Sequence, residues 1–252
     1  MSNPLESSHR KLARAEEHIR DLEGKINAFA WSNAYEKVIE PHPDKPDHLV
    51  HKIKLTKEIP ESIVDVTADA VQNLRNALDN AGYAVAIAAG AVNPLNTAFP
   101  FAPSVDKLAN VLGRSKDIPE QIQSLFCGFQ PYPGGNDLLW SLNEICVSDK
   151  HKMLIPVGTG VVRAGADVRG TGFFCMPNPH FWDRTKNEME LITLGPNAEF
   201  NYNFDFRLFV AFNDIKIVDG KPVLAVLYEI DSIVERILVA IEAEARRIKI
   251  FK

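Results

Sequence analysis

Two stretches of this chain gather side chains able to hold or transform a ligand. The first is Asp69-Ala-Val-Gln-Asn73-Leu-Arg75-Asn-Ala-Leu-Asp79 and the second is Leu142-Asn143-Glu-Ile-Cys-Val-Ser-Asp149-Lys150-His151. Arg75 and Lys150 can grip a phosphate, one as a planar fork and the other as a point charge. His151 can take up and release a proton near neutral pH, which makes it the candidate general acid–base. Asp69, Asn73, Asp79, Asn143 and Asp149 can orient a ligand around them. The same residues can equally form a buried structural network, and the sequence leaves both readings open.

Both stretches read as helical. Between Ser62 and Gly90 there is no Lys, no Glu and only one Arg. A solvated helix face ordinarily uses Lys, Glu and Gln, which favour helix, whereas Asp and Asn do not. Short polar side chains over several turns therefore suggest a face covered by something polar, set against the plain alternative of a wet amphipathic face. In the second stretch Leu138, Leu142, Ile145 and Cys146 form an apolar arc, and a continued helix brings Asp149 into it. A carboxylate there needs a partner, with Arg75 and Lys150 the candidates. Otherwise the helix ends by Ser148 and Asp149 faces water.

The elements that must position these groups follow from periodicity. Leu12, Ala15, Ile19, Leu22, Ile26 and Phe29 recur at steps of three and four, giving a helix over about 5–33. Further long helices are expected near 59–90, 136–151 and 229–250, with shorter ones over 104–112 and 119–127. Pro60 suits a helix start, and Asn136 or Asp137 can cap the third long helix. Strands are expected at 35–40, 49–55, 157–162, 172–176, 189–194 and 199–212, the last with apolar and polar residues in strict alternation. Ile215–Val218 and Pro222–Val226, joined by Asp219-Gly220, read as a hairpin. The expected fold is α+β, a helical bundle core packed with a mainly antiparallel sheet. We expect a single interleaved domain over 1–252, with the helical, motif-bearing part at about 57–152 and the strand-rich part at about 153–228 plus strands 35–55.

Composition narrows the function classes. At 252 residues, 46% hydrophobic and 24% charged, the chain has the make-up of an ordinary globular protein with a substantial core. A net charge of −5 argues against non-specific adhesion to nucleic acid or anionic membrane. No apolar run is long enough to span a membrane, and the first residues lack a secretory pattern. Cys127, Cys146 and Cys175 are odd in number and without CxxC spacing, so the expectation is a reducing cytoplasm with the thiols as small buried hydrophobes. His42, His48 and His51 with Asp44 and Asp47 read as an exposed hairpin with scattered histidines rather than a metal site. His180-Phe-Trp-Asp183 reads as a packing anchor. Phosphate-binding glycine loops, GxSxG and HExxH are absent, and no metal or cofactor is expected.

The ordered motifs resemble a widespread bacterial family without an assigned activity. They are Asp69, Asn73-Leu74-Arg75-x-Ala77-Leu78-Asp79-Asn80; Phe99-Pro100-Phe101; Gln130-Pro131-Tyr132; Leu139-Trp140-Ser141-Leu142-Asn143; and Asp149-Lys150-His151-Lys152. The likeness covers about residues 10 to 155, and the strand-rich remainder matches weakly. A looser similarity is to the HEPN superfamily, helical domains that include ribonucleases using Arg-x(4–6)-His across a dimer interface. Arg75 has the spacing, but Asn80 stands where the His would be.

That resemblance implies RNA or nucleotide binding with candidate ribonuclease activity, Arg75 and His151 being catalytic and Asp69, Asn73, Asp79, Asn143, Asp149 and Lys150 binding substrate. A homodimer through the amphipathic helices is a further expectation, as is the absence of a membrane partner. The alternative is a non-catalytic protein-interaction module whose polar helix residues form a structural network. A lesser one is a small-ligand pocket between bundle and sheet, roofed by Trp140, Tyr132 and Phe99.

Overall fold

The computed structural model describes residues 3–94, 97–113, 115–148, 152–169, 174–175 and 181–252, with side chains over those spans except 160–169, 174–175 and 199–205. In chain order the elements are α1 (Glu6–Ala30), β1 (Tyr35–His42), β2 (Lys45–Leu55), α2 (Glu61–Ala88), α3 (Val105–Leu112), α4 (Glu120–Gly128), α5 (Asp137–Val147), β3 (Leu154–Arg169), β4 (Phe174–Cys175), β5 (Trp182–Asp183), β6 (Glu188–Leu194), β7 (Glu199–Phe212) and α6 (Val223–Arg247). The class is α+β with antiparallel strand pairing, as the hydrophobic periodicities require. Contacts divide the chain into two compact units. The helical unit comprises Met1–Glu23, Ser62–Met153 and Phe212–Lys252, and the sheet unit comprises Gly24–Glu61 and Leu154–Ala211.

In the helical unit the apolar stripes all turn inward. Leu12, Ala15, Ile19 and Leu22 of α1 are buried, as are Ile63, Leu74, Leu78 and Val85 of α2. Each such Leu or Ile contributes about 1.5–3 kcal/mol by leaving water. Phe99, in the loop after α2, is 2% exposed and packs on Phe126 of α4 with ring centroids 5.1 Å apart. Asn136, not Asp137, caps α5: its Oδ1 accepts from the Leu139 N–H at 3.1 Å, and Asp137 Oδ1 accepts from Gly134 N–H at 2.8 Å.

Three expectations need correction here. The helix expected over 136–151 ends at Val147, because Ser148 turns extended at ψ 157° while its hydroxyl bonds back to the Ile145 carbonyl at 2.8 Å. The hairpin expected over 215–226 does not form. Residues 215–221 are instead a closed loop, with Gly220 at φ +73° and its N–H on the Phe212 carbonyl at 2.8 Å. Finally, α6 begins at Val223 rather than 229. Pro222 leads into it, and Val223, Val226 and Leu227 extend the buried stripe of Ile230, Ile233, Val234, Ile237 and Ile241. The helical period thus reaches back to Val223, where alternation had suggested a strand.

In the sheet unit β1 and β2 pair antiparallel, and the order β1-β2-β6-β4 continues the sheet, with β5 also on β6. β3 pairs with β7 in a second, two-stranded sheet. Ile53, Met189, Leu191, Ile192 and Leu194 form a core against which Tyr35, Trp182 and Phe206 pack. A β-bulge between His51 and Lys52 lets Leu191 and Ile192 both be buried despite the two-residue strand period. The alternation expected in β7 is visible over its described side chains: Leu208 and Val210 are buried and Arg207 is exposed. A Cβ on Gly158 of β3 would lie 2.5 Å from both Trp182 and Phe206, so a larger residue there must displace these rings.

The polar face of this sheet carries an ion triad that the sequence did not announce. Lys52 Nζ donates to Glu188 Oε1 at 3.0 Å and Glu40 Oε2 at 3.2 Å, with the Lys52 and Glu188 side chains only 15% and 12% exposed. Burial pulls the Lys52 ammonium down, but bonds to Glu188 and Glu40 outweigh it and hold it above its ordinary range. Lys52→Met leaves Glu188 covered and unpaired. Denaturant unfolding of the sheet unit should register a loss of about 1–3 kcal/mol, where an exposed pair would give under about 1.

Candidate functional site

The helical unit brings three of the sequence-identified groups together around Arg75. The Arg75 Nε donates to Asp79 Oδ2 one turn along α2 at 3.3 Å, and Nη1 donates to Asn143 Oδ1 of α5 at 2.6 Å. The flat guanidinium lies over the Phe101 ring, its central carbon 4.1 Å from the ring centroid. Asp79 spends its other oxygen, Oδ1, on the Phe99 backbone N–H at 2.8 Å. The Phe99–Ala102 segment is tied in turn to the Gln-Pro-Tyr loop, where the Ala102 N–H donates to the Pro131 carbonyl at 3.0 Å. Side-chain exposures of 18% for Arg75 and 31% for Asp79 place the pair at the margin of the core.

Two backbone features let the loop reach this network. On α2, the Thr97 carbonyl oxygen lies 2.0 Å from where a Cβ on Gly82 would stand, so only glycine admits the loop. Gln130 adopts φ +52°, and its carbonyl accepts from Tyr132 N–H at 2.7 Å and Asn136 N–H at 2.8 Å, closing the turn before α5. Motif residues from α2, the Phe-Pro-Phe loop, the Gln-Pro-Tyr loop and α5 therefore converge on one interlocked cluster.

The other sequence candidates stand apart. Asn73 donates to the backbone carbonyl of Asp69 at 2.8 Å, a bond within α2 itself. Asp69 is exposed and lines a small cavity of about 90 Å³ with Gln72, Ile145, Cys146 and Met153. Asn80, at the position a HEPN histidine would take, donates to Ser7 Oγ of α1 at 3.1 Å and so tethers two helices. Asp149, Lys150 and His151 lie outside the described residues. Because α5 ends at Val147, its helical wheel does not reach Asp149, which removes the reason for placing that carboxylate in the apolar arc. The face of α2 is thus divided: Asp65, Asp69 and Gln72 are exposed, whereas Asn73, Arg75, Asn76, Asp79 and Asn80 are half-buried.

Cys146, beside this cluster, is poorly suited to nucleophilic chemistry. Burial pushes the Cys146 thiol up to about 11, with Arg75 opposing and Asp79 adding to the effect. It is a protonated, weakly nucleophilic thiol at neutral pH. Cys127 and Cys146 are free and half-buried rather than fully enclosed. His42 Nδ1 accepts from the Asp44 N–H, and His48 pairs with Asp47 at 2.8 Å. Among the described residues no three His, Cys, Asp or Glu side chains converge as metal ligands.

Phe99 is a core residue, not the roof of a pocket. The helical unit also holds a cleft of about 570 Å³, lined by Phe129, Leu138, Ile233 and Ile237 together with Asp137 and Arg236, that residue types alone do not reveal. Its lining comes from three separate segments, so no local motif marks it. No described helix is long and apolar enough to cross a membrane.

Fold and site define an α+β protein whose helical unit is clasped around one arginine. Comparison with family models, with curated proteins and with solved structures finds no match.

Proposed function

We propose that the helical unit is a non-catalytic interaction module and that the Arg75 cluster is its internal lock. The observation that carries this reading is the way Arg75 is spent: two of its nitrogens are committed to Asp79 and Asn143, and its face to Phe101. An arginine so engaged cannot turn its fork to an incoming phosphate without leaving Asp79 uncompensated. A second feature supports the interaction half of the reading. No charged residue occurs between Asp79 and Asp106, yet Tyr83, Ile87, Val92 and Val105 in this stretch are large apolar groups left exposed. Exposed apolar surface of this kind suits a protein partner better than a polyanion.

The second reading is an RNA- or nucleotide-binding, HEPN-like protein. It is favoured by the remaining guanidinium nitrogen, Nη2, which carries no hydrogen bond to a described residue, and by the resemblance of the Arg75 motif. In that reading Arg75 and Lys150 hold phosphate, His151 is the acid–base group, and Asp69, Asn73, Asp79, Asn143 and Asp149 orient the substrate. Mixed RNA incubated with wild type, Arg75→Ala and His151→Ala separates the two. The interaction-module reading expects neither cleavage nor binding by wild type. Cleavage lost in both variants, or binding lost in Arg75→Ala with an unchanged melting curve, contradicts it.

A further inference from the structure

In the helical unit α6 meets α1 along a seam whose edge is unusually acidic. The Tyr228 hydroxyl of α6 donates to Glu23 Oε2 of α1 at 3.2 Å. One turn further along α6 comes Asp231, whose Oδ1 is buried without a hydrogen-bond partner. The charged groups acting on Asp231 are Glu16 and Arg20 from α1 and Glu235 from its own helix, with Tyr228 and Glu23 next along the seam. Arg20 is the single cation among them, and it also lies 3.7 Å from Glu16. An ionised Asp231 would therefore sit in the seam unsolvated on one oxygen and faced by two further carboxylates, an arrangement that disfavours its charge.

We propose that Asp231 is a proton-operated latch on the α1–α6 seam, holding α1 down when protonated and loosening it when ionised. Burial, then Glu16 and Glu235, push the Asp231 carboxyl up to about 6 against the opposing pull of Arg20. In an unfolded chain it titrates near 4. A folded-state value raised in this way means that the closed seam is most stable below about 4. Its stability falls as pH rises through about 4 to 6 and stays low at 7. A shift of about two pH units would change the opening equilibrium about a hundredfold, which solvent screening of this half-buried group reduces to about tenfold.

Amide hydrogen exchange of the full chain at pH 4 and pH 7, corrected for intrinsic rates, tests the latch, with α5 amides as the internal reference. The α1 amides of wild type should be about fivefold more protected at pH 4 than at pH 7, relative to α5. Asp231→Asn should show the higher protection at both pH values, and Glu16→Gln should shrink the difference without abolishing it. Wild-type α1 protection that is independent of pH overturns the proposal. So does a pH dependence that survives in Asp231→Asn, or an Asp231→Asn chain that does not fold, because a neutral isostere must hold the seam at least as well.

Discussion

Replacing Arg75 with alanine should lower the melting temperature of the helical unit by about 6–12 °C. The substitution removes the charge-assisted bonds to Asp79 and Asn143, each kind contributing about 1.5–3 kcal/mol, and the stacking on Phe101, about 0.5–1 kcal/mol. Partial exposure of Arg75 and Asp79 trims that sum to about 3 kcal/mol. At roughly 2–4 °C per kcal/mol for a protein of this size, the shift is well resolved by calorimetry. Arg75→Lys should recover less than half of it, since one ammonium cannot serve Asp79, Asn143 and the Phe101 face in the same geometry. A melting curve unchanged in Arg75→Ala would mean that the cluster contributes nothing to the fold.

Gly82→Ala should be at least as damaging, against the ordinary rule. In an exposed helix interior, alanine stabilises relative to glycine by about 1 kcal/mol. Here the new methyl would meet the Thr97 carbonyl oxygen at 2.0 Å, and a backbone atom cannot swing aside as a side-chain tip can. The loop must lift, and Phe99 lies two residues beyond Thr97. Lifting it costs the Phe99 packing on Phe126 and the bond from the Phe99 N–H to Asp79. Losing a buried Phe contact of this kind is on the order of 3 kcal/mol. Denaturant unfolding should show a loss of about 3 kcal/mol or more; a gain in stability would show that the loop is not held as described.

How far the sequence carried can be read from individual residues. The stripes of α1 and α2 were legible because Leu12 to Phe29 and Ile63 to Val85 keep helical period without interruption, and every one of the stripe residues named from α1 is buried. The start of α6 was not, because Asp219-Gly220 is hairpin chemistry and Val223-Leu-Ala-Val226 is too short to separate a period of two from one of 3.6. At the site, Arg75 and Asp79 share an i,i+4 spacing and Asn143 belongs to an evident motif, so their interest was visible. What Asp79 binds was not visible: its partner is a backbone N–H twenty residues away, and a backbone donor leaves no mark on residue type. Asn80 stands where a HEPN histidine would, yet its side chain ties α2 to Ser7, a partner that the motif does not point to. The helix expected to run on toward His151 stops at Ser148, whose hydroxyl bonds back to the preceding turn while its backbone turns extended.

A double-mutant cycle in denaturant unfolding, comparing wild type, Arg75→Ala, Asn143→Ala and the double variant, isolates the bond by which Arg75 locks α2 to α5. A coupling of about 1–2 kcal/mol between the two positions is expected, because each single change already breaks the 2.6 Å bond that the other would break. Strictly additive losses would contradict it, and would leave Arg75 free for a partner outside the chain.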